Sequence, residues 1–205
     1  MSVLSPVMIV LAHPRPAGFD HELAGRVRSV IGQTGVRQHF HDLYAESFDP
    51  VLTQDEQPVD EVWSRGTSSE QVRGRVTVAP DPLVQRHQRE LAESKALVVI
   101  HPDWLGKPPA MLTGWLDRVL LSAAKEPAPV LQRALVINTS EQPGAPTPES
   151  DALGMLWRDQ LGPYLGSPLF ERLTFRGTAT ADDQQFARWR NATERAAAWV
   201  CGAAR

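Results

Sequence analysis

The stretch that most constrains this chain runs His101-Pro-Asp-Trp-Leu-Gly-Lys-Pro-Pro-Ala-Met-Leu-Thr-Gly-Trp-Leu-Asp-Arg-Val-Leu120. It follows an apolar run, Ala96 to Ile100, with the length and β-branched content of a buried strand. A Trp-Leu-Gly turn closed by two prolines comes next. Residues 112, 115, 116, 119 and 120 are then apolar, the one-sided spacing of an amphipathic helix. A strand, a rigid aromatic loop and a helix in that order put the loop at the carboxyl edge of a sheet, where open α/β folds bind their ligands.

The rest of the chain repeats the alternation. Val7 to Leu11 is a continuous apolar run, as in a strand covered on both faces. A loop from His13 to Gly18 leads into a helix from Asp20 to Ile31, with Leu23, Val27, Val30 and Ile31 on one side and Gly32 and Gly35 at its end. Val36 to His41 alternates as a second strand with Val36, Gln38 and Phe40 on one face. Residues 45–80 are polar and broken by Pro50, Pro58, Gly66, Gly74 and Pro80, the composition of a functional lid or loop excursion. A helix is predicted over Leu83 to Ser94, a third strand over Ala96 to His101, and a fourth over Arg133 to Asn138. A proline-rich loop, a helix over Ala152 to Leu161 and a fifth strand through Leu169, Leu173 and Phe175 follow. The last helix starts at Asp182 and carries Phe186, Trp189, Thr193, Ala196 and Val200 at helical spacing.

Five alternations predict an α/β three-layer sandwich: a five-stranded parallel sheet with helices on both faces, joined by right-handed crossovers. The chain has 205 residues, 42% of them apolar, enough for one domain over 1–205 with an excursion at 45–80. Its net charge of −3 argues against a nucleic-acid or anionic-membrane partner. The single cysteine, Cys201, forms no internal disulfide, and the apolar run at Met8 to Leu11 is too short for a membrane span; a cytoplasmic protein is expected. The crevice should lie beyond strands one, three and four, at His13–His21, His101–Lys107 and Asn138–Gly144. No nucleophile elbow, Gly-x-Gly-x-x-Gly or Walker loop is present, so hydrolase, dinucleotide-dehydrogenase and triphosphatase readings lack support. His39 and His41 share a face, but no third ligand stands out in the sequence, and no metal site is predicted.

Leu11-Ala-His-Pro14, Phe19, Asp42-Leu-Tyr44, Phe48-Asp-Pro50, Asp81-Pro-Leu83 and Pro102 through Arg118 together resemble the flavodoxin-like NAD(P)H:quinone oxidoreductases of the DT-diaphorase type. The resemblance spans nearly the whole chain, and the Pro-Ala-x-Leu-x-Gly-Trp-x-x-Arg arrangement is its specific part. It implies a flavodoxin-like fold holding FAD or FMN non-covalently, NAD(P)H as electron donor, and a quinone-like small molecule as acceptor, reduced by two electrons. The flavin carries the chemistry, so no catalytic side chain is required. By the same resemblance, His13, Arg15, Gly18, Phe19, Asp20 and His21 would hold the cofactor's phosphates. Pro102, Asp103, Trp104, Leu105 and Gly106 would lie along the ring, and Asn138, Thr139, Ser140 and Glu141 would touch its polar edge. It also implies a homodimer, whose interface the helix after residue 111 would suit.

Three departures fall at the cofactor. The first loop ends Gly18-Phe19-Asp20 where the family usually has Ser-Phe-Asn; an Asp at a helix start is a good N-cap, but its charge repels a phosphate. The loop after strand four reads Asn138-Thr139-Ser140-Glu141 in place of Thr-Thr-Gly-Gly, exchanging close backbone approach for side chains. Asp103 stands where the family is commonly apolar; a carboxylate beside a flavin would disfavour the anionic reduced form unless Lys107 offsets it. These departures support an alternative: a flavin-less regulatory or binding module on the same fold. Trp115, Trp157, Trp189 and Trp199 are expected in the core, and Asp117 with Arg118 as a solvated or interface pair.

Overall fold

A computed structural model describes residues 6–53, 81–121, 130–144, 146–147 and 150–202. The elements are β1 (Val7–Leu11), α1 (Phe19–Gln33), β2 (Gln38–Asp42), α2 (Pro82–Glu93), β3 (Ala96–Pro102), α3 (Ala110–Trp115), β4 (Arg133–Ser140), α4 (Ala152–Gly154), β5 (Leu169–Arg176) and α5 (Asp183–Val200). All strand pairs are parallel, in the order β2-β1-β3-β4-β5. The expected five-stranded α/β sandwich is therefore present. Beyond residue 53, the excursion expected at 45–80 lies outside the described residues.

Alternate strand residues point to opposite faces. Met8, Val10, Leu97, Val99 and Val136 face a core shared with α2, α3 and Trp157. Ile9, Leu11, Val98, Ile100, Leu135 and Ile137 face one shared with α1 and α5. Each fully buried aliphatic side chain contributes about 1.5–3 kcal/mol relative to exposure, so the two covered faces are what hold the sheet. Asp81 caps α2 by accepting from the Leu83 amide, and Asp182 caps α5 by accepting from the Gln185 amide.

Three local expectations are revised: the cap of α1, the helices after β3 and β4, and the Asp117–Arg118 pair. Gly18, not Asp20, is the N-cap of α1, and it offers no side-chain cap. α3 is only one and a half turns long before it widens into a π-helix at Leu116–Leu121, and α4 does the same at Met155–Gln160. The stripe at 112, 115, 116, 119 and 120 packs into the core. On β2 the fully or nearly buried side chains are His39 and His41, while Phe40 is half-buried beneath the Arg28 guanidinium. Arg118 is buried and does not pair with Asp117. It donates to the Asp49 carbonyl at 2.5 Å and lies 3.4 Å from the Asp81 carboxylate, stapling the chain after β2 to the start of α2.

Gly114 has no substitute at its position. A Cβ there would overlap the backbone and ring of Pro50, which crosses the helix at that point. The glycine of the Gly-Trp pair is thus a close-approach residue.

Candidate functional site

The register aligns Leu11 with Ile100 and Ile100 with Ile137, so the loops after β1, β3 and β4 leave the sheet at one edge. β1 lies between β2 and β3, which is where the strand order reverses. A topological switch of this kind opens a crevice at the carboxyl ends of the strands. Here the three loops enclose a cavity of about 570 Å³, lined by His13 to Arg15, Gly18 to Asp20, Pro102 to Leu105 and Thr139 to Gln142. That volume falls within the range of small-molecule and cofactor sites.

The first loop turns at Ala17, whose φ of 59° is in the left-handed region. The His13 Nδ1 accepts from the Arg15 amide at 3.1 Å and folds the loop on itself. Because Gly18 provides no cap, the first-turn amides of α1 are left for another acceptor. Asp20 is 3% exposed, and both of its oxygens face the Thr139 hydroxyl, at 3.1 and 2.9 Å. Burial pushes its carboxyl above the usual carboxylate range, while His13, the Thr139 bond and His21 pull the other way.

The loop after β3 is pinned by its own aspartate. Asp103 Oδ1 accepts from the Gly106 amide at 2.7 Å, and Oδ2 accepts from Arg176 Nη1 at 2.8 Å. The counter-charge is therefore Arg176, at the end of β5, and not Lys107. Leu105 adopts φ 57° and Gly106 φ 76°. A leucine in that conformation is strained by about 1–3 kcal/mol, and such outliers cluster at ligand sites. Leu105 is 87% exposed and Trp104 46% exposed, so apolar surface stands at the cavity rim. In the loop after β4, Ser140 Oγ accepts from the Gln142 amide at 3.2 Å.

A model of the flavodoxin-like fold family matches residues 5–198. The chain belongs to this flavodoxin-like family. Curated relatives include an uncharacterized NAD(P)H oxidoreductase of Haemophilus influenzae, 28% identical over 114 residues that make up 55% of this chain and 49% of that protein. Another is the human ribosyldihydronicotinamide dehydrogenase [quinone], 27% identical over 118 residues, 56% of this chain and 50% of that one. The chain spans about half the length of the curated relatives it matches. Among solved structures, an NAD(P)H:quinone oxidoreductase from Methanothermobacter marburgensis superposes with a TM-score of 0.73 at 19% identity, covering 98% of this chain and 99% of the other. An FMN-dependent NADH-azoreductase from Bacillus anthracis in complex with FMN does so with a TM-score of 0.69 at 14% identity, covering 96% and 100%. These likenesses establish the flavodoxin-like fold.

Of the site residues expected from the sequence, thirteen line the cavity or its loops. His21 and Asn138 do not reach it. His21 Nε2 donates to Asp42 Oδ2 at 3.0 Å, turning the ring toward β2. Asn138 points beneath the sheet edge into a buried chain of hydrogen bonds. Arg172 Nε donates to its Oδ1 at 2.6 Å, which turns its Nδ2 to His101 Nε2 at 2.9 Å. Trp157 Nε1 donates to the same His101 nitrogen at 3.1 Å, and His101 Nδ1 donates to the Pro102 carbonyl at 2.8 Å. Arg172 is held in turn by Asp151 at 2.6 Å. Burial pushes the His101 imidazole down to about 4, and the Arg172 charge adds to this; the Pro102 carbonyl and Asp103 oppose it. This chain braces the base of the Pro102–Gly106 loop. Nothing in the spacing of Asp151, Trp157 and Arg172 along the sequence pointed to it.

Tertiary structure also gathers what the sequence left apart around His41. Its donor atoms lie within 4.8 Å of those of Glu46 and His87. The His41 nitrogens face Glu46 at 3.1 Å and Glu90 at 2.6 Å. His87 Nδ1 accepts from Trp115 Nε1 at 3.0 Å, which leaves the proton of the neutral ring on Nε2, 3.2 Å from Glu46. Glu46 is lowered to about 2: burial raises it, but its contacts with His41 and His87 outweigh that.

Proposed function

We propose that the protein is a flavin-dependent NAD(P)H oxidoreductase that reduces quinones or similar small electrophiles. The observation that carries this reading is the cavity at the β1/β3 switch point, walled by the same three loops that the sequence singled out. The residues present fit a flavin: uncapped amides and Arg15 at one end for phosphate, the Pro102–Gly106 loop along a flat wall, and Thr139 to Glu141 at a polar edge. When bound, FAD or FMN supplies two-electron hydride transfer from NAD(P)H to the acceptor.

The chain's own side chains then bind, orient and exclude water. Arg176 neutralises Asp103, so the loop beside the ring carries a closed ion pair and not a free carboxylate. The His101 imidazole, bonded to the Pro102 carbonyl, holds the base of that loop. A second reading, a flavin-less binding module, is favoured by one observation: a buried carboxyl, Asp20, lines the cavity beside the first turn of α1.

A second copy of the chain is the proposed partner. The outer face of α3 and its π-helical extension (Ala110, Thr113, Asp117, Leu121) lines an apolar hollow of about 960 Å³ with Trp104 and Tyr164. Light scattering after gel filtration should give twice the chain mass. The proposed compartment is the cytoplasm; among the described residues no helix is long and apolar enough to cross a membrane.

Purification decides between the two functional readings. A yellow protein bleached by NADH or NADPH, with ping-pong kinetics toward a quinone, supports the enzyme. A colourless protein that takes up neither FAD nor FMN refutes it.

A further inference from the structure

We propose that Asp20 makes flavin binding proton-linked: the phosphate end of the flavin is accepted with the Asp20 carboxyl protonated, so each binding event takes up one proton. The inference rests on the reading of the cavity as a flavin site and adds a control to it. In the absence of ligand the carboxyl is almost wholly enclosed. Its side-chain hydrogen-bond donor is a single hydroxyl, Thr139 Oγ1, which has one proton to give to two oxygens; its own backbone amide is the other donor that favours the charged form. Among the described residues no Lys or Arg is ion-paired with it.

The groups that face it are few. His13 comes from the loop after β1, His21 and the Asp20 backbone amide from α1 itself, and Thr139 from β4. His21 is committed to Asp42 on β2. The nearest loop charge beyond β3, Asp103, is neutralised by Arg176 on β5. Arg15 and Glu141 line the cavity further out, with opposite signs.

A phosphate drawn to the α1 amides adds negative charge to this setting. Two anions in a poorly solvated space repel strongly, and the cheapest relief is for the group already disfavoured as an anion to take a proton from solvent. The protonated carboxyl then offers what the carboxylate lacks. One oxygen keeps the Thr139 bond while the O–H can donate toward the phosphate, as an amide NH₂ at the same position would. FMN, whose phosphate approaches two charges at neutral pH, is more sensitive than FAD, whose two phosphates carry one each.

The test is calorimetric titration of apoprotein with FMN and with FAD at pH 7.5, in two buffers of different ionisation enthalpy, together with dissociation constants by flavin fluorescence from pH 5 to 9. The wild type should take up close to one proton per flavin. Its Kd should rise by up to tenfold per pH unit between pH 7 and 9, with the larger effect for FMN. Asp20→Asn, which keeps an acceptor for Thr139, should lose the proton uptake and bind FMN at least tenfold tighter at pH 8. Flavin binding by Asp20→Asn alone also supports the inference. Equal affinity of the two proteins without proton uptake overturns it and leaves the flavin reading standing. No binding of either flavin by either protein at any pH overturns the flavin reading, and the inference with it.

Discussion

Replacing His101 by glutamine tests the bracing network through its pH dependence. In the folded chain the imidazole is completely buried and titrates at about 4, against an ordinary 6.5. Its Nε2 accepts from both Trp157 and Asn138, so a proton there would face two donors. The unfolded chain therefore binds the proton first. The stabilisation is fully present above pH 6.5, is lost as pH falls from 6.5 to about 4, and changes no further below that. At about 1.4 kcal/mol per pH unit per proton, the window is worth about 3 kcal/mol. Glutamine does not titrate. It can accept from Trp157 but no longer donates to the Pro102 carbonyl, a buried acceptor whose loss costs about 1–3 kcal/mol at pH 7. Urea unfolding of both proteins at pH 7.0, 6.0, 5.0 and 4.3 should show the wild type ahead at pH 7 and the gap closing or reversing near pH 4. A gap that stays constant within about 0.5 kcal/mol would refute the buried-neutral-histidine account.

Other outcomes follow from single contacts. Gly114→Ala should destabilise by about 1–3 kcal/mol in the same unfolding assay, because its methyl group has only the Pro50 backbone to displace; a neutral effect would mean that this crossing is loose. Arg176→Met leaves Asp103 as an uncompensated, largely buried carboxylate. Weaker flavin uptake and a stability loss of about 3 kcal/mol are expected, and both should be recovered in Arg176→Met combined with Asp103→Asn. Glu46 falls from an ordinary 4.5 to about 2 in the folded chain, so its contribution is present above pH 4.5 and lost as pH falls toward 2; Glu46→Gln should flatten acid unfolding over that interval. Trp115→Phe removes the donor to buried His87 and part of a fully buried ring, and should cost at least about 1–3 kcal/mol, read as a lowered urea midpoint at unchanged m-value.

The sequence by itself determined the architecture and the place of the crevice. Apolar runs such as Val7–Leu11 and Ala96–Ile100 can be buried only as sheet strands covered on both faces. Their alternation with one-sided helices admits a parallel sheet, and a parallel sheet places successive loops at one edge. That is why the loops at His13, Pro102 and Thr139 are legible in the sequence as one crevice. What lines that crevice chemically was decided by the tertiary fold. Asp20 reads as a helix cap from its neighbours, yet its carboxyl turns to Thr139, 119 residues away. Lys107 looks like the partner of Asp103 because it is near in sequence, but parallel pairing of β5 beside β4 brings Arg176 there. His41 meets Glu46 five residues on, but the rest of its surroundings come only when α2 packs across β2 and supplies His87 and Glu90. Periodicity reports which face of an element is buried, because burial repeats with the element's own pitch. A hydrogen bond between two particular side chains has no period and leaves no trace in either segment. It comes into being only when the sheet order and the helix packing carry the two groups to within 3 Å of each other.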